Sequence, residues 1–166
     1  FYTNFIVEEI RRNDVLNLNP KFLAGYCGLY CGACAIYQGK IKQAVENLRS
    51  LIKAYGFDKF VSELARWNPA FKHYREFEEV MKAFEETFGE CPACMQGGGA
   101  PQCQIRICCQ QKGYATCAEC VEMWTCQKLE PYAKNREALE KIKAVGLEKW
   151  AEDMQKKVEE GFSYRI

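Results

Sequence analysis

Apolar residues recur at helical spacing over most of the chain. Ile41, Ala44, Val45, Leu48, Leu51 and Ile52 alternate with Lys, Gln and Glu, which predicts an amphipathic helix over residues 33–55 that Gly56 ends. Phe57, Phe60, Val61 and Leu64 mark a second helix. Asn68 and Pro69 supply an N-cap and a first-turn proline for a third, whose stripe is Phe71, Tyr74, Phe77, Met81, Phe84 and Phe88, with Gly89 as its stop. Past Pro131 the period returns in Ala138, Leu139, Ile142 and Val145 before Gly146, then in Leu147, Trp150, Met154 and Val158 before Gly161. Ahead of the NLNP turn, NFIVEEIRRNDVL reads as a short helix. Residues 90–128 break the pattern, being rich in Gly and Gln and holding Cys91, Cys94, Cys103, Cys108, Cys109, Cys117, Cys120 and Cys126.

The cysteines change the picture more than the overall composition does. With 48% hydrophobic residues in 166, a core can form without covalent help, so eleven cysteines are not needed as staples. The count is odd and CxxC pairs repeat, which favours metal thiolates over disulfides and a reducing compartment, the cytoplasm. Net charge is +1, from 23 basic and 22 acidic residues spread along the chain, and this argues against a nucleic-acid binder. No apolar run approaches the roughly 20 residues that span a bilayer, and no charged start with an apolar stretch marks a signal peptide.

A zinc ion bound by four thiolates has bonds of about 2.3 Å, which brings its sulfurs within about 4 Å of one another. A CxxC turn achieves this. In Cys91-Pro92-Ala93-Cys94 the proline fixes φ, and short side chains let backbone N–H groups turn toward sulfur. Cys117 and Cys120 form a second such pair, and Cys103 and Cys108 a looser third. Cys27, Cys31 and Cys34 have the CxxxCxxC spacing by which radical enzymes hold a cluster. A long helix follows them, however, and the chain is too short and strand-poor for the barrel that carries such chemistry. Cys109 reads as a buried thiol, because neighbouring cysteines point apart and seldom serve one tetrahedral ion. Arg106, Lys112 and Lys128 lie near enough in sequence to donate to thiolates; for the two lysines ordinary solvation is preferred, and Arg106 is more evenly balanced. His73, the single histidine, reads as a surface residue, and the pairs Glu78–Glu79, Glu85–Glu86 and Glu159–Glu160 as solvated helix faces.

GLYCGACAIY, then CPAC, CQIRIC, KG with CAEC, a cysteine before KLE, and GLEKWAEDM together resemble the family called domain of unknown function 3795. Its members are small prokaryotic cysteine-rich proteins without assigned activity. The resemblance covers residues 25 to 162. It implies metal binding, usually supposed to be zinc, by Cys27, Cys31, Cys34, Cys91, Cys94, Cys103, Cys108, Cys117, Cys120 and Cys126. Cys109 departs from the pattern, as do Trp124 and Thr125, where Phe-Pro is expected. The family offers no catalytic residues.

The expectation is thus a mostly α protein, with five or six helices packed around a cysteine-rich, metal-organised irregular lobe. It forms a single domain over 1–166, the lobe at 90–128 joined to the 27–34 motif. The leading function is a zinc-binding structural or interaction protein with an unidentified protein partner and no enzymatic site. A 4Fe-4S protein in electron transfer or redox chemistry is the alternative, and thiol-disulfide exchange lacks its usual βαβ setting. Cys91, Cys94, Cys117 and Cys120 are expected to share one ion, with Cys126 completing the amino-terminal trio. In the rival arrangement Cys91, Cys94, Cys103 and Cys108 hold one ion, and Cys117, Cys120 and Cys126 help to hold another.

Overall fold

In the computed structural model, which describes residues 19–164, there are six α-helices, five where apolar spacing and helix stops agree and one, Gln104–Lys112, inside the stretch expected to be irregular. These are α1 (Lys40–Ala54), α2 (Val61–Trp67), α3 (Tyr74–Phe88), α4 (Gln104–Lys112), α5 (Arg136–Val145) and α6 (Leu147–Glu159). Among the described residues there is no strand, only an isolated antiparallel bridge between Ala24 and Tyr30. The fold is mostly α. The helix expected over NFIVEEIRRNDVL falls outside the described residues.

One boundary differs clearly from expectation. The helix predicted from residue 33 begins at Lys40, because Gly39 adopts φ +69° and residues 34–39 form turns, with Lys40 N–H donating to the Ala35 carbonyl. Asn68 caps as expected, its side chain accepting from Ala70 N–H at 3.0 Å. The turn it opens is 3-10 (Pro69–His73), and α3 follows it.

The chain divides into two compact units. One holds residues 19–32 and Ala93–Phe162, the other Ala33–Pro92 with residues 163–164. In the first, α5 and α6 pack together and α6 lies against the 3-10 turn Pro20–Leu23. Its core includes Tyr30, Leu129, Leu139, Ile142, Trp150 and Met154. Tyr30 meets Trp150 edge-on at 5.9 Å between ring centres and donates its hydroxyl to Gln155 at 2.9 Å, so the polar tip of a buried aromatic is satisfied.

In the second unit α1 packs on α3. Arg49 of α1 reaches Glu85 at 2.5 Å and Glu78 at 3.4 Å on α3. The expectation that Glu78 and Glu85 are merely solvated is therefore corrected, whereas Glu79 and Glu86 make exposed pairs with Arg75 and Lys82 along the helix. The aromatic stripe is also less enclosed than expected. Met81 is its one buried member, and Phe71, Phe77 and Phe84 keep 38%, 41% and 43% of their surface exposed.

Candidate metal centre

Every cysteine is a free thiol. Cys27, Cys31, Cys94, Cys103, Cys108, Cys109, Cys117, Cys120 and Cys126 belong to the first unit, Cys34 and Cys91 to the second. Cys109 and Cys117 are buried and the others half-buried.

Cys27 sits in a tight loop. Gly25 N–H donates to the Leu29 carbonyl at 2.6 Å, Gly28 N–H to the Gly25 carbonyl at 3.0 Å, and the Ala24–Tyr30 bridge closes the base. Glycine is required at position 28, where φ is +83° and a Cβ would stand 3.0 Å from Leu139 Cγ and 3.1 Å from the Asn135 carbonyl oxygen. This geometry lets the Leu29 N–H hydrogen-bond the Cys27 sulfur, which also accepts from the Asn135 side-chain amide at 3.8 Å. Burial pushes the Cys27 thiol up to about 11, the Leu29 N–H opposes the rise, and nearby Cys94, Cys103 and Cys117 add to it.

Tyr26 ties the loop to the cysteine lobe. Its carbonyl accepts from Cys117 N–H at 2.9 Å, and its N–H lies near the Cys94 sulfur. Cys94 N–H in turn donates to Cys31 Sγ at 3.3 Å. The CxxC turn thus aims an amide at sulfur, as its sequence suggests, but at Cys31 across the loop. Ala93 makes the turn at φ +74°, rare for a residue with a Cβ, while its carbonyl accepts from Gln96 and Gly98 N–H. Burial holds the Cys94 thiol above its ordinary value, against the pull of the Tyr26 N–H and the Arg106 guanidinium.

Further sulfurs extend this neighbourhood. Cys109, on α4, places its Sγ 3.4 Å from that of Cys117, both out of solvent. The hydrogen bond with Cys109, with burial behind it, drives the Cys117 thiol strongly upward. Lys112 lies beside Cys120 and Cys108, whose charges hold its amine above the usual lysine range, and Lys128 lies near Cys117. Both lysines are nonetheless exposed, and Lys112 pairs with Glu122 at 3.8 Å. The Cys126 carbonyl accepts from Arg136 at 3.4 Å. His73 is exposed, 3.8 Å from Glu76.

The structure thus gathers Cys27, Cys31, Cys94, Cys103 and Cys117 from three chain segments. Among the described residues, no three Cys, His, Asp or Glu side chains converge closely enough to hold one ion as they stand. Sulfur donors are the kind a soft divalent metal takes, although burial, and at Cys117 the hydrogen bond with Cys109, outweigh the neighbouring amides and cations and keep Cys27, Cys94 and Cys117 as thiols. Sequence reasoning missed Tyr26, Leu29 and Asn135. The first two act through backbone amides, which no side-chain letter announces, although Gly28 beside Cys27 is a visible mark of a tight turn.

A family model described as "Protein of unknown function (DUF3795)" matches residues 23–131, well over half of the chain. It takes in every cysteine and stops short of the GLEKWAEDM stretch. No curated protein and no solved structure matches the chain.

Proposed function

This chain belongs to the DUF3795 family, and for it we propose metal binding through cysteine thiolates, with zinc as the metal and a structural or interaction role as the consequence. One observation carries the reading. Two amide N–H groups donate to sulfur, that of Cys94 to Cys31 at 3.3 Å and the Asn135 side chain to Cys27 at 3.8 Å, with Cys94, Cys103 and Cys117 near Cys27. Amides aimed at sulfur gain most when that sulfur is an anion, and a bound cation is what keeps clustered thiolates ionised. Zinc would be held by ligands from this set and would supply charge neutralisation and cross-linking. Cys34, Cys91, Cys108, Cys120 and Cys126 remain the further candidates. Free thiols in this number suit a reducing compartment, the cytoplasm. Among the described residues no helix is long and apolar enough to cross a membrane.

The test is metal analysis with an absorption spectrum of the full chain purified under reducing conditions. The reading expects a colourless protein with at least one zinc per chain. A brown sample with a broad band near roughly 400 nm replaces zinc by an iron-sulfur cluster, and a metal-free folded protein that takes up none on titration rejects metal binding altogether.

A further inference from the structure

We propose that Arg106 is a positioning residue of the thiolate centre, holding the loop that carries Cys94 toward Cys103 and setting a positive charge against the Cys94 sulfur. The inference rests on the metal-binding reading and goes beyond it by assigning a role to a residue that is not a ligand.

Arg106 is the one buried charged residue among those described, 6% exposed on a chain whose other charges lie mainly at the surface. Its guanidinium donates to three carbonyls of the glycine-rich loop between the two cysteines: Gly98, Ala100 at 2.8 Å and Pro101 at 3.0 Å. The same loop returns to α4 through Cys103 N–H, which donates to the Ala100 carbonyl at 3.2 Å. A run such as Gly97-Gly98-Gly99 has little conformational preference of its own, so the fork of one side chain specifies its path.

The charge needs a separate account. Among the described residues no carboxylate pairs with Arg106. Carbonyls satisfy its hydrogen bonds but do not neutralise it, and a buried cation without a counter-ion is costly. The Cys94 sulfur lies near it, a half-buried thiol that becomes a counter-charge only when it gives up its proton to a metal. Four thiolates around a divalent zinc carry two net negative charges, and a guanidinium against one of them compensates part of that excess. Arg106 is therefore best accommodated when the centre is loaded.

The experiment uses the full chain, with cobalt titration and zinc affinity measured by chelator competition. Arg106→Met keeps the length and apolar stem and removes fork and charge. It should weaken metal binding about 10- to 100-fold, as loss of an outer partner does. At saturating cobalt the variant should recover the wild-type far-UV circular dichroism. Its thiolate-to-cobalt absorption should nevertheless move to longer wavelength, because a thiolate with no cation near it gives up an electron more easily. Arg106→Lys keeps the charge and loses the fork, so its affinity should fall between the two; it also keeps the inference testable if the methionine variant does not fold. Arg49→Met, in the other unit, should leave affinity and spectrum unchanged. Unchanged affinity in Arg106→Met, or an unshifted cobalt spectrum in the loaded variants, overturns the inference while the metal reading stands. A wild-type chain that binds neither metal overturns both.

Discussion

Replacing Gly28 by alanine tests whether the loop around Cys27 is as tightly built as its geometry implies. The substitution carries two costs. At φ +83° a residue with a Cβ is strained by about 1–2 kcal/mol. The new methyl would also stand 3.0 Å from Leu139 Cγ, 3.2 Å from Leu139 Cδ2 and 3.1 Å from a backbone oxygen of Asn135. Leu139 has no exposed surface and cannot move aside into solvent, so overpacking adds about 1–3 kcal/mol. The expected loss is about 2–5 kcal/mol, a large share of the stability of an ordinary domain. Gly113→Ala is the matched control in the same unit, with φ +69° and nothing within 4 Å of the added carbon, so it bears the strain alone. Urea unfolding of both variants, followed by far-UV circular dichroism, reads the difference. Equal losses in the two variants would refute the packing argument, and a loss below about 1 kcal/mol in Gly28→Ala would refute the strain argument as well.

Cys94→Ser should lose bound metal, whereas Cys109→Ala should keep it and cost about 1–2 kcal/mol for the vacated buried volume; metal content and urea midpoints of the two variants check this, and the opposite pattern would reassign the ligands. For protein stripped by a chelator, Cys27 has a folded-state pKa raised from 9.0 to about 11, so its contribution is full below pH 9 and lost as pH climbs toward 11. The loss should amount to about 2–3 kcal/mol, and unfolding curves across that window should show a smaller loss for Cys27→Ser than for the parent chain, the remainder coming from the raised Cys94 and Cys117 thiols. Ala93→Gly should relieve strain of about 1–3 kcal/mol, less the greater backbone freedom of glycine when unfolded, about 0.5–1 kcal/mol. A raised melting temperature is expected, and a lowered one would mean that the turn at φ +74° carries no strain.

The helices at 40–54, 74–88, 136–145 and 147–159 were legible because each pairs a run of spaced apolar residues with a local stop signal. The start of α1 was misread by seven residues, because Gly39 lies next to an uninterrupted apolar pattern and its positive φ is a backbone property. Arg49 with Glu78 and Glu85 escaped for a different reason: the pairs join residues 29 and 36 apart on separate helices, a separation no local pattern encodes. At the sulfur centre, residue type marked the cysteines, but their arrangement follows from amide directions at Tyr26, Leu29 and Cys94 that exist only after folding.

That dependence sets the energetic role of an ion there. Residues 26–31 and 93–117 are separated in sequence by all of Ala33–Pro92, yet they meet through the Cys117–Tyr26 and Cys94–Cys31 hydrogen bonds. Each such bond contributes about 0.5–1.5 kcal/mol, and closing so long a loop consumes much of that. Thiolate bonds to structural zinc contribute about 10–16 kcal/mol in apparent binding free energy at neutral pH, which exceeds the closure cost several-fold. On the proposed reading the hydrogen bonds therefore choose which sulfurs face one another, and the metal fixes the cysteine lobe to the amino-terminal loop that Tyr30 anchors in the core. Removing it should loosen the Cys94 and Cys117 links to residues 26–31 before it unfolds α5 and α6, because Tyr30 stays buried against Trp150 without any metal.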